Sequence, residues 1–188
     1  MKLIELAYTM AYDAKVNYED VFSQVRMWDN YIYNELNKRS IAIPPKKEAT
    51  KTEKYAGAYV KEPIPGFYDW VVSFDLNSLY PHLIMQYNIS PETLEDTRHP
   101  SASVEGILNQ KVKIDKEFAT CANGAQYRKD EHGFLPEMMK KMYDSRVIFK
   151  KRMIKAKQQY EKTPTVELTK EIARCNNIQL SLIHISEP

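Results

Sequence analysis

Apolar residues recur at helical spacing in two segments near the start of the chain. In the second segment, Asn17 is suited to cap a helix that would end before Pro44. Residues 44–54 are rich in proline, lysine and threonine, and they predict a linker. The apolar face of the first predicted helix, residues 2–12, carries Leu3, Leu6, Ala7, Met10 and Ala11. The apolar face of the second carries Val21, Phe22, Val25, Trp28, Ile32 and Leu36.

A hydrophobic run covers residues 68–75 and ends on an acid, Asp75. A short apolar run of this kind predicts a buried strand, with Trp70 in the core. Asn77 and Ser78 are suited to cap a helix that starts directly afterwards and has a proline in its first turn. One face of that predicted helix gathers Leu79, Leu83, Ile84 and Tyr87.

The second half of the chain begins with residues 91–117, which are polar and show no periodicity. Turn signals then flank residues 127–129 and predict a short antiparallel ribbon. A long helix is predicted over residues 136–161, followed by a second over 165–179, with Pro164 between them. Two helices joined by so short a break predict an antiparallel helical hairpin. The elements together predict an α+β fold.

The composition is that of an ordinary globular protein, since 43% of the 188 residues are hydrophobic and 28% are charged. These values exclude a disordered or fibrous chain. No apolar run approaches the roughly 20 residues of a membrane span, and no signal peptide is recognisable. Cys121 and Cys175 are far apart and lack metal-ligand spacing, which predicts reduced thiols in a cytosolic protein.

The predicted strand, acid and helix around Asp75 form a candidate site for a metal–triphosphate complex. The strand would deliver the carboxylate beside the free N–H groups at the start of the helix, and these groups favour anions. Mg²⁺ prefers few carboxylates together with phosphate oxygens and water. On this pattern alone, an aspartate that merely starts a turn is the more frequent case.

A second candidate feature is the basic character of the long predicted helix. Between Lys140 and Lys157 there are eight basic residues and one acid. One face of the helix carries Tyr143, Arg146, Lys150 and Lys157. By itself, this pattern fits a phosphate-binding surface and a solvated basic face equally well.

Residues 75–81, with the sequence D-L-N-S-L-Y-P, resemble motif A of the family B DNA polymerases, D-x-x-S-L-Y-P. The resemblance extends over residues 1–179 and is closest to the replicative enzymes of tailed phages. Three further segments match family elements in the expected order: the Y-x-G-G/A element at residues 55–58, the segment after motif A at residues 88–93, and the first fingers helix at Leu135 and Pro136 with Arg146 and Lys150.

The resemblance implies a role for each residue matched in motif A. Asp75 would bind both catalytic metal ions, expected to be Mg²⁺, and the carbonyl of Leu76 would bind the metal on the nucleotide side. Backbone groups of Ser78 and Leu79 would hold the triphosphate. Tyr80 would lie under the deoxyribose and exclude a 2′-hydroxyl.

Outside motif A, the resemblance implies that Arg146 and Lys150 reach the β- and γ-phosphates of the nucleotide. Charge-assisted hydrogen bonds to phosphate suit these two residue types. The remaining basic residues of the helix, Lys140, Lys141, Lys151, Arg152 and Lys155, are expected to be solvated. Tyr55 and Gly57 would contact the template strand and help to partition DNA between two active sites.

The implied architecture is an internal fragment of a right-hand polymerase. Residues 1–49 would form the C-terminal end of a 3′–5′ exonuclease domain, residues 50–134 the start of the palm, and residues 135–179 the fingers helices. Residues 180–188 resemble translated sequencing-adapter read-through, and we expect them to be non-native. The implied activity is template-directed transfer of deoxynucleotides to a primer 3′-hydroxyl in DNA replication.

The chain departs from the family pattern in three places. His82 stands where the family usually has serine, and because this position lies beyond the catalytic residues, the departure concerns helix packing. Asn177 and Gln179 match the start of an N-x-Q-x-x-x-K helix, but Ile183 occupies the place of its lysine. No segment resembles the second catalytic motif, Y-G-D-T-D-S, so the chain is not expected to be active alone.

The resemblance implies primer–template DNA and deoxynucleoside triphosphates as partners, with a sliding clamp in the parent enzyme and no membrane association. A phage origin would place the protein in the host cytoplasm. Two alternatives compete with a polymerase. One is a non-catalytic nucleic-acid-binding module that uses the basic helix. The other is a metal-dependent nuclease built on Asp75, which would need a carboxylate cluster that the neighbouring acids do not provide.

Overall fold

The computed structural model describes residues 3–43, 45, 60–113 and 115–186. Within these residues the backbone forms six α-helices and one β-hairpin, which confirms the predicted α+β class. The elements are α1 (Leu3–Ala14), α2 (Gln24–Lys38), α3 (Leu79–Tyr87), α4 (Val104–Leu108), β1 (Phe118–Thr120), β2 (Gln126–Arg128), α5 (Phe134–Lys162) and α6 (Val166–Ser186). No helix in this part of the chain is long and apolar enough to cross a bilayer.

The first predicted helix is confirmed as α1, which buries four of its predicted apolar residues. The second was predicted to start near Asn17, and this is wrong. A five-residue 3₁₀ helix, Tyr18–Phe22, comes first, and α2 begins only after Ser23. Ser23 has an extended backbone (φ −113°, ψ 103°), which interrupts the helical periodicity, although Val21 still packs in one core with Met27 of α2. Phe22, predicted on the apolar face, is exposed, while Met27 is the buried residue of α2.

The strand predicted over residues 68–75 is absent, so that expectation was wrong. Every residue from 60 to 77 is exposed, and Trp70, predicted in the core, is 98% exposed. A strand needs a neighbour to pair its backbone groups and to cover its apolar faces. Among the residues that the structure describes, no segment pairs with 68–75, and the run therefore lies open.

The predicted antiparallel ribbon is confirmed as the β1–β2 hairpin, in which Ala119 pairs with Tyr127. Gly124 lies in the connecting turn with φ +84°, a conformation that favours glycine. The neighbouring polar segment contains a helix that the sequence did not predict, α4. Only five residues long, it is capped by the Ser103 hydroxyl, which accepts a 3.0 Å hydrogen bond from the Gly106 N–H.

The predicted helical hairpin is confirmed by α5 and α6, with Pro164 in the break between them. α6 passes its predicted end at Gln179, because residues 180–186 contain neither glycine nor proline. The non-native origin of that tail stays a prediction. α5 is central to the fold, since its buried methionines form a core with one side of α2 and α3: Met138, Met139 and Met142 pack against Trp28, Tyr31, Ile32, Ile84 and Met85.

Candidate functional site

Ser78 forms a sharp corner between the exposed segment that contains Asp75 and the start of α3. Its backbone is left-handed (φ 53°, ψ 47°), and the residue is only 5% exposed. A non-glycine residue rarely adopts this conformation unless its surroundings hold it there. The predicted capping role of Ser78 is wrong, because its side chain makes no cap hydrogen bond to α3. Its hydroxyl instead bonds to α5.

Arg146 of α5 is the residue that reaches this hydroxyl. Its Nη1 donates a 2.6 Å hydrogen bond to the Oγ of Ser78. One turn earlier on α5, the ring of Tyr143 meets the ring of His82 from α3, with centroids 4.8 Å apart. The pairs 78–146 and 82–143 show that α3 and α5 cross in opposite directions at this point.

Lys150 lies one further turn along α5 from Arg146. Its side chain is exposed, and within the described part of the chain no hydrogen bond or ion pair engages it. The first-turn N–H groups of α3 lack a side-chain cap, so they and the helix dipole favour a bound anion. Arg146 therefore lies beside a helix terminus that favours anions, and Lys150 follows one turn later on α5.

The remaining predicted residues of motif A face solvent. Asp75 is exposed, Leu76 is 69% exposed and Tyr80 is 61% exposed. Among the described residues, no group of three or more histidine, cysteine or acidic side chains is arranged to hold a metal ion. One carboxylate suits a Mg²⁺ ion that takes most of its ligands from phosphate and water, and it does not make an all-protein metal site. Tyr55 and Gly57 lie outside the described residues.

Residues 88–93 hold the β-hairpin against the start of α5, a role that the sequence did not reveal. The Asn88 side chain donates to the carbonyl oxygens of Arg128 (2.6 Å) and Glu131 (2.8 Å). Its Oδ1 accepts a 3.0 Å hydrogen bond from the Gly133 N–H. The Thr93 hydroxyl donates a 2.6 Å hydrogen bond to the carbonyl oxygen of Asn88, so the segment also contains an internal hydrogen bond.

The same segment caps α5. Glu92 Oε1 accepts from the Phe134 N–H at 2.5 Å, and Ser90 Oγ accepts from the Leu135 N–H at 3.4 Å. These bonds satisfy donors that a helix leaves open at its N-terminus. The fit at Gly133 is tight, because an added Cβ would lie 2.5 Å from the Cβ of Ser90. Segment 88–93 thus sets where α5 begins, and with it the position of Arg146.

Four charged side chains form an ion-pair ring between α2 and α5: Glu35, Arg39, Glu137 and Lys141. Arg39 donates to Glu35 (3.1 Å) and to Glu137 (3.0 Å), and Lys141 donates to Glu35 and Glu137 at 3.1 Å each. Burial raises the pKa of Glu35, but the hydrogen bonds from Arg39 and Lys141 outweigh it and lower that pKa to about 2.

The other basic residues of α5 are exposed to solvent, as expected, and three of them also form ion pairs. Lys141 belongs to the ring, and Arg152 forms an ion pair with Glu171 of α6. Lys140 pairs with Asp144 at 2.9 Å on the exposed side of α5. Part of the basic charge of this helix is therefore used in holding the fold.

Comparison with known proteins agrees with the arrangement of these elements. The sequence model of DNA polymerase family B matches residues 22–167, and the chain belongs to that family. The DNA-directed DNA polymerase of Escherichia phage RB69 is 37% identical over 161 residues, which cover 85% of this chain and 18% of the phage protein. The enzyme of Enterobacteria phage T4 is 35% identical over 150 residues, covering 80% of this chain and 17% of its own.

A solved structure shows the same fold. The family B DNA polymerase of the hyperthermophilic archaeon Pyrobaculum calidifontis superposes with a TM-score of 0.67, covering 98% of this chain and 22% of the archaeal chain, at 23% sequence identity. The chain therefore spans less than a quarter of the length of these relatives.

Proposed function

We propose that this chain forms the nucleotide-binding part of the polymerase active site in a template-directed DNA polymerase. The reaction would join a deoxynucleotide to a primer 3′-hydroxyl with release of pyrophosphate. The observation that carries the proposal is the hydrogen bond from Arg146 to Ser78, because it brings the basic helix to the start of the motif A helix. Residues 1–49 would then end an exonuclease domain, 50–134 begin the palm and 135–179 form the fingers.

The triphosphate would lie at the N-terminal end of α3. Backbone groups of Ser78 and Leu79 would bind it, with Arg146 and Lys150 on its β- and γ-phosphates. The uncapped start of α3, where Leu79 and Tyr80 are exposed, and the exposed, unengaged Lys150 support this placement. Arg146 would exchange its bond to the Ser78 hydroxyl for a stronger, charge-assisted bond to phosphate.

Asp75 and the carbonyl of Leu76 would hold Mg²⁺ on the side of α3 that faces the incoming nucleotide. When bound, the metal would lower the pKa of the primer hydroxyl and neutralise charge on the reacting phosphate. The exposure of both residues supports their access to a nucleotide-bound ion. A second carboxylate would join Asp75 at this metal, because the described residues contain no group of side chains arranged to hold a metal ion.

Tyr80 would pack against the deoxyribose, and Tyr55 and Gly57 would contact the template strand. The exposure of Tyr80 supports an accessible ring and argues against a buried, purely structural tyrosine. The phage relatives are named DNA-directed DNA polymerases, which supports an enzyme that acts on primer–template DNA. A role in replication, a sliding clamp as partner and the host cytoplasm as location belong to the same proposal.

A non-catalytic nucleic-acid-binding module is less well supported. Such a module would need the basic face of α5 open for phosphates, yet Lys141 and Arg152 are held in ion pairs within the fold. It would also give no reason for Arg146 to approach motif A rather than solvent.

The test is steady-state primer extension by a full-length polymerase that carries this segment. Arg146→Ala and Lys150→Ala should each raise KM for the incoming nucleotide, lowering kcat/KM by roughly 10- to 150-fold, because each removes a charge-assisted contact of about 1.5–3 kcal/mol. Lys155→Ala, which deletes an exposed charge elsewhere on α5, serves as the control. Unchanged nucleotide dependence with weaker DNA binding would instead support the binding module.

A further inference from the structure

His82 makes two contacts that link the corner at Ser78 to α5. Its Nδ1 lies 2.8 Å from the carbonyl oxygen of Ser78, which also accepts the backbone N–H of His82 at 3.1 Å. A carbonyl oxygen only accepts hydrogen bonds, so Nδ1 carries the proton in this contact. The side chain therefore adds a second hydrogen bond to the residue whose left-handed backbone forms the corner.

The ring of His82 also packs edge-on against Tyr143, with centroids 4.8 Å apart and planes at 80°. Tyr143 stands three residues before Arg146, on the same face of α5. Ser78 is thus held twice, by His82 through its carbonyl and by Arg146 through its hydroxyl. These two contacts and the ring contact make one connected unit that joins α3 to α5.

We propose that His82 is a positioning residue for nucleotide binding, which fixes the corner at Ser78 and the spacing of α3 from α5. This inference rests on the proposed function, because the group that His82 positions through the corner at Ser78 is Arg146. The reason lies in the backbone of Ser78, since a left-handed serine persists only when its neighbours hold it. Loss of the His82 contacts would let the corner relax and move Arg146 away from its phosphate position.

The kind of side chain at position 82 decides whether both contacts can form. A serine, which usually occupies this position in the family, can bond to the carbonyl four residues earlier. Its short side chain does not extend to a ring on a neighbouring helix. The imidazole makes both contacts at once, so His82 and Tyr143 act as a matched pair across the two helices.

Four variants of the full-length polymerase separate the two contacts. His82→Leu removes the hydrogen bond and keeps an apolar side chain against Tyr143. His82→Asn keeps an N–H donor at the position of Nδ1, whereas His82→Gln moves the donor farther along the side chain. Tyr143→Leu removes the ring contact and keeps the hydrogen bond.

We expect His82→Leu to raise KM for the incoming deoxynucleotide about three- to tenfold, the effect of losing one hydrogen bond, with kcat and primer–template affinity close to wild type. His82→Asn should restore most of the wild-type KM, and His82→Gln should not. Should the leucine variant fail to fold, the comparison of asparagine with glutamine still decides the question. Equal KM values for wild type, His82→Asn and His82→Gln would overturn the inference.

A double-mutant cycle with Arg146→Ala distinguishes positioning from a general structural role. If His82 acts through Ser78 and Arg146, His82→Leu should change KM less than twofold once Arg146 is alanine. The same fold-change in both backgrounds would contradict the inference while leaving the proposed function intact. Unchanged KM in the Arg146→Ala single variant would mean that the proposed function itself has failed.

Discussion

Arg146 and Ser78 lie 68 residues apart in sequence, yet the guanidinium of the first donates a 2.6 Å hydrogen bond to the hydroxyl of the second. The contact joins the basic helix α5 to the N-terminal end of α3, where the backbone turns sharply after Asp75. Three further features fix the position of α5 and thereby stabilise this contact: the capping of α5 by segment 88–93, the ion-pair ring, and the methionine core that packs against α3.

The close packing at Gly133 predicts a sharp effect of a single methyl group. Gly133→Ala should destabilise the 188-residue chain by about 1–3 kcal/mol, because its new Cβ would meet the Cβ of Ser90 at 2.5 Å and displace segment 88–93 from α5. Thermal unfolding followed by circular dichroism measures the loss. Gly66→Ala is the matched control, since the nearest atom to its added Cβ lies 3.5 Å away. Equal melting temperatures for the two variants would show that the start of α5 is loosely held.

The ion-pair ring predicts a defined pH dependence of stability. The folded-state pKa of Glu35, about 2, lies below its ordinary value of 4.5, so this carboxylate stabilises the fold above pH 4.5. The contribution is lost as the pH falls from 4.5 towards 2. Glu35→Gln should therefore lower the free energy of unfolding by about 1.5–3 kcal/mol at pH 7 and have little effect near pH 2.

Urea titrations of wild type and Glu35→Gln at several pH values test this dependence. Glu161→Gln, which changes an exposed carboxylate of α5, controls for the loss of one negative charge. A constant difference in unfolding free energy between wild type and Glu35→Gln across the acid range would show that the ring does not stabilise the fold through charge.

Tyr80 should select against ribonucleotides by steric exclusion. In a full-length polymerase, Tyr80→Ala should improve the use of ribonucleotides relative to deoxynucleotides while substantial deoxynucleotide incorporation remains, because a 2′-hydroxyl no longer meets the ring. Tyr80→Phe should change little, since the ring rather than its hydroxyl excludes the sugar. The measurement is kcat/KM for matched ribo- and deoxynucleotides, and an unchanged ratio in the alanine variant would remove Tyr80 from the sugar site.

The elements that the sequence predicted well are those stabilised by local signals. Helical periodicity together with Pro164 predicted the α5–α6 hairpin, and turn residues around Gly124 predicted the β1–β2 hairpin. The prediction of a strand at residues 68–75 was wrong for the opposite reason, because a strand depends on a partner that is distant in sequence. Its apolar pattern indicates what a sheet would bury, but the described residues supply no strand to pair with it.

The site shows the same division between local and distant information. Motif A is contiguous, so its residues could be recognised in the sequence. The contacts that position α5 could not be recognised in the sequence. The side chains of Ser90 and Glu92 accept hydrogen bonds from N–H groups more than 40 residues away. Glu35 and Lys141 are likewise 106 residues apart, and each reads in sequence as an ordinary surface charge.

The central claim is that Asp75 is the metal-binding carboxylate of a polymerase active site, and single-turnover primer extension in Mg²⁺ tests it most directly. In a full-length polymerase, Asp75→Ala should slow nucleotide incorporation by at least ~100-fold, because an electrostatic contribution to the transition state is lost. The 3′–5′ exonuclease rate of the same protein should stay at its wild-type value. Asp69→Ala, another exposed carboxylate of the same segment, should extend primers normally. Wild-type extension by a folded Asp75→Ala enzyme, or equal loss of extension and exonuclease activity, would contradict the account.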